Sequence, residues 1–265
     1  MDTVKLYLRS MKMLMRCQME YPVSFLLNTL SQFVMMGGEL MAVLLLVDRF
    51  EQVGRWTGSQ ILFFFGLMTL TFYLVECFAR GISNFPPVVQ SGSLDTMLLR
   101  PRGVLTQVLC YAIDPRRIGC IVIGIAAMWM GAVQSQVQWT ILKVLVLLES
   151  VTGGFLLIIA LFLIEGYTCL HSIKSVEMVN VFTYGGRSTC QYPIDIYPGP
   201  LKIMFTVVAP FALTMHVPAA YILDMPILNL PAWSAFLTPL SGLVSFLIMY
   251  RVFQHGLKYY RSTGS

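Results

Sequence analysis

Residues 141–170 read ILKVLVLLESVTGGFLLIIALFLIEGYTCL, thirty positions of which only Lys143, Glu149 and Glu165 are charged. About 20 apolar residues carry a helix across the hydrocarbon core of a bilayer, so this stretch reads as a membrane span. Five further apolar runs lie on either side of it. They cover about 23–47, interrupted by Asn28 and Glu39, then 59–79, 118–133, 201–223 and 232–250. Six spans of roughly 20 residues each fit this chain with connections to spare.

Composition supports the same solvent. Of the 265 residues, 57% are hydrophobic and 12% are charged. Soluble domains carry about 25% charged residues. Half that share is too little to cover a body of this size in water, which argues against a soluble enzyme, a disordered chain or a nucleic-acid binder.

The basic residues orient the spans. Lys5, Arg9, Lys12 and Arg16 precede the first run. Arg80, Arg100, Arg102, Arg116 and Arg117 follow the second, Lys174, Arg187 and Lys202 follow the fourth, and Arg251, Lys258 and Arg261 follow the sixth. These are fifteen of the 18 Lys and Arg residues; only Arg49, Arg55 and Lys143 fall on the other side. Positive loops stay in the cytosol, which predicts both termini there. The six cysteines fall in the cytosolic segments or at the inner ends of spans, so no external disulfide is expected, and none forms a C-x-x-C pair.

Before the first run, Val4, Leu8, Met11 and Met15 recur at helical spacing, with Lys5, Arg9, Lys12 and Arg16 one position on. That pattern predicts an interfacial amphipathic helix over 1–20 lying on an anionic leaflet. It equally suits a cytosolic extension of the first span. The sequence thus predicts an all-α integral membrane protein, one transmembrane domain over 1–265. It has six transmembrane helices, a cytosolic loop over 80–117 and a second over 171–200. Residues 224–231, with Pro226, Leu228 and Pro231, read as a short outer connection, either plain or re-entrant.

No G-x-x-x-x-G-K-[ST] phosphate loop, G-x-G-x-x-G, H-E-x-x-H or G-x-S-x-G motif occurs. His171, His216 and His255 are isolated and read as structural or interface residues. No catalytic, cofactor-binding or metal-binding set is expected. Carboxylates inside spans are costly in hydrocarbon, and Glu39, Glu149 and Glu165 are therefore candidates for a translocation pathway. The competing reading pairs them with basic residues of neighbouring spans. Gly37 and Gly38 beside Glu39 permit close helix approach.

In the loop over 80–117, Gly92-Ser93-Leu94-Asp95-Thr96-Met97-Leu98-Leu99-Arg100-Pro101 places Leu94, Met97 and Leu98 on one face of a short helix, with Asp95 and Arg100 in water. Such a face needs a partner groove, or it packs on this protein's own inner helix ends. In the loop over 171–200, Tyr184, Gly185, Gly186, Tyr192, Pro193, Tyr197 and Pro198 suggest interfacial turns beneath the membrane.

These two segments resemble the inner-loop motif and the fourth-to-fifth loop signature of ABC-two exporter permeases, in the branch grouped with viologen exporters. Phe205, Pro210 and Val217-Pro218-Ala219 resemble that family's fifth span. Gly256, Tyr259 and Arg261-Ser262-Thr263-Gly264-Ser265 resemble its terminal motif, with Thr263 where Ala is usual. The resemblance implies a homo- or heterodimer of permeases in the bacterial cytoplasmic membrane, docked on two separate ABC ATPase subunits. It implies that Gly92, Leu94, Asp95, Leu98, Leu99, Arg100 and Pro101 form the coupling helix. ATP and Mg would then be held by the partner ATPase and not by this chain. Two competing functions remain open on the residues alone. One is a proton-coupled secondary transporter using Glu39, Glu149 and Glu165, which the lack of a visible internal repeat disfavours. The other is a lipid-modifying enzyme, for which no acid–base pair argues.

Overall fold

The structure is a computed structural model and describes residues 3–49, 52–171, 176–227 and 230–260. Fourteen helices run through the described residues in this order. They are α1 (Thr3–Met19), α2 (Pro22–Arg49), α3 (Gly58–Phe78), α4 (Arg80–Ser83), α5 (Phe85–Gln90), α6 (Ser93–Leu98), α7 (Val104–Leu109), α8 (Ile118–Gln134), α9 (Ile141–His171), α10 (Val176–Asn180), α11 (Tyr184–Cys190), α12 (Gly199–Ile203), α13 (Val217–Ile222) and α14 (Thr238–Tyr259). A two-residue hairpin, β1 (Gln52–Val53) and β2 (Trp56–Thr57), joins α2 to α3 through Gly54, whose φ is +64°.

Among the described residues, five helical stretches are long and apolar enough to cross a membrane: Pro22–Leu46, Gly58–Phe78, Pro115–Gln134, Ile141–Leu170 and Ala232–Tyr259. The chain is an all-α integral membrane protein. Helix α3 forms its centre, with 89% of its most apolar window buried, against 11% for α2. Lipid tails are as apolar as leucine, so helices in a bilayer associate by close packing and not by escaping water. Glycines provide that packing here. A Cβ on Gly66 of α3 would lie 2.2 Å from the backbone of Met128 in α8, and one on Gly124 or Gly131 of α8 would meet α3 backbone at 2.7 and 2.5 Å. On the other flank α14 lies along α9, where a Cβ on Gly242 would come within 2.1 Å of Gly153.

The run 201–223 is not a straight span. Gly199–Val208 and Ala212–Ile222 meet at 84° across Ala209-Pro210-Phe211, each arm containing a π-helical turn. Pro210 lacks the N–H that an unbroken helix would use there. Both ends of this pair return to one place. The Arg55 guanidinium pairs with Asp195 at 2.5 Å, just before the first arm, and donates to Pro226 O at 3.3 Å, just after the second. Lys143, near the start of α9, pairs with Asp224 at 2.7 Å. The pair is therefore a re-entrant hairpin that enters and leaves at the Arg55 end of the bundle.

The segment read as an inner loop over 171–200 makes the crossing instead. Tyr184 packs its ring on Phe72 and Phe162 at 5.6 and 5.9 Å, towards the far end of α3. Eleven residues later, the Asp195 carboxylate accepts a hydrogen bond from Trp56 Nε1 at 2.7 Å, at the near end. Phe72 and Gly58 lie about 21 Å apart along α3 at 1.5 Å per residue. Residues 184–195 thus climb most of the bundle beside α3. This corrects the expected fifth span and the expected second cytosolic loop. It also moves Lys202 to the sparsely charged end and Arg187 to the interior, so the division of basic residues between the two ends becomes thirteen against four, still strongly lopsided. Leu228, Lys174 and Arg261–Ser265 lie outside the described residues.

Helix α1 follows its predicted range over the described residues and presents the predicted face in part. Met11 and Met15 turn inward as expected, together with Leu6, Tyr7, Ser10, Leu14 and Gln18, while Val4 and Leu8 are exposed. Tyr7 Oη donates to Phe78 O at 2.6 Å and Gln18 Nε2 to Ile113 O at 3.1 Å, so the helix is bonded to the end of α3 and to the extended approach to α8.

Two outcomes follow. Introduced in a cysteine-free background, cysteines at Gln52, Pro200 and Pro226 should react with a membrane-impermeant thiol reagent from one side, and a cysteine at Arg102 from the other; reaction of positions 200 and 226 from opposite sides would restore a fifth span. Gly66→Val should cost about 1–3 kcal/mol through overpacking against α8, read as a lowered unfolding midpoint in detergent.

Candidate functional site

The loop between α3 and α8 is fixed to the bundle by buried charge. Glu76, 1% exposed, faces Arg80 one turn on and Arg117 at 3.5 Å. Asp114 pairs with Arg116 at 2.6 Å and Arg117 at 3.5 Å, and Arg117 donates to Gln32 Oε1 of α2 at 2.5 Å. Removing one member of such a buried set leaves another charge without compensation. Backbone bonds add to this: Gly81 N–H donates to Ala112 O at 3.1 Å and Asp114 N–H to Cys77 O at 3.0 Å. Gly81 has no room for a side chain, because a Cβ there would sit 1.8 Å from Val108 O.

On this base α6 is mounted rigidly. Gly92 turns into it with φ +68°, a conformation that favours glycine. Leu94 and Met97 are buried in the protein's own core. Gln107 of α7 donates Nε2 to Met97 O at 2.8 Å and to Arg102 O at 3.0 Å, which holds the turn out of α6. Leu98, Leu99, Arg100, Pro101 and Arg102 are exposed, Leu99 at 87%. The expected single face is therefore divided. Leu94 and Met97 anchor the helix, and Leu98 with Leu99 forms an apolar tip flanked by two arginines.

The three carboxylates proposed for a pathway are not brought into one cluster. Glu39 of α2 pairs with Arg187 of α11 at 2.5 Å. The Arg187 guanidinium also lies over the rings of Phe72 and Tyr73 at 5.4 and 5.0 Å. Glu39 keeps 47% of its side chain exposed, so the pair is buried on the arginine side only. Glu149 and Glu165 stand sixteen residues apart on α9, roughly 24 Å along its axis. Each has one oxygen, Oε2, that is buried without a hydrogen-bond partner.

The loop signature acquires a structural explanation. Gly186 sits where a Cβ would come within 2.7 Å of Phe211 at the hairpin bend. Tyr197 Oη donates to Thr189 O at 2.9 Å. Pro193 leads into the 3-10 turn Ile194–Ile196 and Pro198 into α12. Tyr192 borders a cleft with Leu46 and the β1–β2 turn. Gly185 is not crowded, since a Cβ there would meet its nearest neighbour, Asn180 O, at an ordinary 3.6 Å. Sequence reasoning missed Arg187 as the partner of Glu39, whereas His216 has the structural role expected of it. That histidine accepts from Ile194 N–H at 3.2 Å through Nδ1 and packs between Trp56 and Phe64, a structural role joining the hairpin to α3.

A helical bundle with a braced loop at its arginine-rich end and a re-entrant hairpin at the other defines a polytopic membrane protein. The family model described as ABC-2 family transporter protein matches residues 33–264, and the chain belongs to that family. It is a permease component of an ABC transporter. No curated protein and no solved structure matches it.

Glu39→Gln and Arg187→Met should each destabilise the protein, and the double variant should lose less than their sum. A double-mutant cycle of unfolding in detergent should return a coupling of about 0.5–3 kcal/mol. A coupling of zero would mean that the pair does not hold α2 to α11.

Proposed function

We propose that this chain is the membrane-spanning subunit of an ATP-driven exporter. Two copies, or one copy and a related permease, enclose the pathway, and each docks a separate ABC ATPase that holds ATP and Mg. The observation carrying this reading is the exposed Leu98–Leu99 tip on a mount braced by Glu76, Asp114, Arg80 and Arg117. A docking element must be exposed to bind, and rigidly joined to the spans to pass on the force it receives. The arginine-rich end is the cytosolic one on the positive-inside rule, which suits an ATPase partner. The viologen-exporter branch and the bacterial cytoplasmic membrane follow the sequence resemblance.

In this mechanism ATP binding draws the two ATPases together and moves both α6 tips. The buried ion pairs carry the displacement to α3 and α8. Glu39, half exposed on α2 and paired with Arg187, is the pathway residue this reading favours, because an exposed carboxylate on a mostly exposed span can meet cargo. The nucleotide state shifts the spans only to the extent that the ATPase dimer binds one arrangement of tips better than the other. A proton-coupled transporter is the second reading, and the unpartnered buried Oε2 of Glu165 is what favours it.

Gentle purification from the native membrane should bring down a stoichiometric ATPase subunit with ATP hydrolysis. Leu98→Asp with Leu99→Asp should weaken that association at least roughly tenfold, about 1.4 kcal/mol, while leaving the permease folded. A chain that arrives alone, transports without nucleotide and loses transport on Glu165→Gln would establish the proton-coupled reading.

A further inference from the structure

A cavity of 710 Å³ opens at the Arg55 end, between the β1–β2 turn and the first arm of the hairpin. One wall is polar. It presents Arg55, Asp195 and Lys202, backed by the fully buried Trp56. The Asp195 carboxylate is already used on both oxygens, by Trp56 Nε1 at 2.7 Å and by Arg55 at 2.5 Å. Lys202 has no ion pair among the described residues, so the wall carries one positive charge in excess. The rest of the lining is aliphatic apart from Thr206: Ile203, Val207 and Leu230 form most of it and are 62%, 72% and 42% exposed. Ile203 and Val207 are one turn apart on an arm that runs into the bundle, so the aliphatic strip continues from the charged mouth towards the hydrocarbon.

A cationic mouth above an apolar strip matches an anion with a hydrocarbon tail. A soluble anion would leave the aliphatic wall wet, and a neutral hydrophobe would leave Lys202 without a partner beside it. Trp56 suits the same depth, since its ring lies in apolar contact with Phe64 at 5.1 Å while its N–H is bonded to a carboxylate.

We propose that this cavity binds an anionic amphiphile, its phosphate or carboxylate head on Lys202 and Arg55 and its chain along Ile203, Val207 and Leu230. The site does not depend on an ATPase partner and stands whichever energy source drives transport. The same chemistry belongs to a phospholipid of the adjoining leaflet and to an amphiphilic cargo leaving at this end.

The test is a titration of the full-length protein in detergent with short-chain phosphatidylglycerol and phosphatidylcholine, followed by native mass spectrometry. Wild type should prefer phosphatidylglycerol by roughly tenfold, a difference of about 1.4 kcal/mol. Lys202→Gln should erase the preference, Ile203→Gln should weaken both lipids, and Arg49→Gln, an exposed charge at the same end, should change neither. Excess inorganic phosphate should not displace the lipid. Phospholipid retained through purification identifies a resident lipid; an empty site that still prefers added phosphatidylglycerol identifies one for amphiphiles in transit. Equal binding of the two lipids, an unchanged Lys202→Gln variant, or displacement by inorganic phosphate would each overturn the proposal.

Discussion

An arginine at membrane depth has no water to turn to, and Arg187 shows what the bundle must do to keep one. Its guanidinium pairs with Glu39 of α2 and lies over Phe72 and Tyr73 of α3. The partners come from two different helices, so the charge is satisfied only when α2, α3 and α11 are assembled together. Burial makes the pair weak as a source of stability, because desolvation offsets the attraction. It is strong as a constraint, because any arrangement that separates Glu39 from Arg187 strands a cation in an apolar interior. The broken crossing from Tyr184 to Asp195 is positioned by this requirement at its middle and by Arg55 and Trp56 at its end.

Around that constraint the contacts are those of a protein that cannot rely on water to press helices together. Gly66, Gly124 and Gly131 bring α3 and α8 to backbone contact, and Gly153 with Gly242 does the same for α9 and α14. The two pairs stand on either side of α3 as stiff bodies. Helix α2, by contrast, is mostly exposed and is joined by polar bonds at separate points, Gln32 to Arg117 and Glu39 to Arg187. Helix α2 is thus placed by a few bonded points and by Met36 and Val43, rather than by a continuous close-packed seam.

Much of this is legible in the sequence, and the failures share one cause. The spans at 23–47, 59–79, 118–133, 141–170 and 232–250 are visible because they are apolar all round, whether they face lipid, as most of α2 does, or other helices, as α3 does. The fifth crossing is not, because hydropathy measures what a residue prefers and not what it is paired with. Residues 184–195 look like a polar loop through Arg187, Gln191 and Asp195, yet Arg187 and Asp195 have partners supplied by α2, by Arg55 and by Trp56. Residues 201–223 look like a span because a re-entrant hairpin packed inside the bundle must be as apolar as a crossing. The double glycine at Gly185-Gly186 is the available signal. As sequence it reads as a loop breaker, whereas in the fold Gly186 marks a close approach to Phe211.

The same distinction explains the segment around α6. Leu94, Met97 and Leu98 share helical spacing, but six residues make less than two turns, and such a helix is shaped by what lies under it. Leu94 and Met97 sink into the core because α5 and α7 leave a place for them. Leu98 and Leu99 are then forced out, next to Arg100 and Arg102. Beneath them, Glu76 and Asp114 share Arg117, which also reaches Gln32 of α2. A displacement of the loop between α3 and α8 therefore cannot stay local. It must either break a largely buried ion pair or move the Gln32 turn of α2 with it. Helix α2, with 11% of its most apolar window buried, is thereby joined through Gln32 to the loop that carries α6.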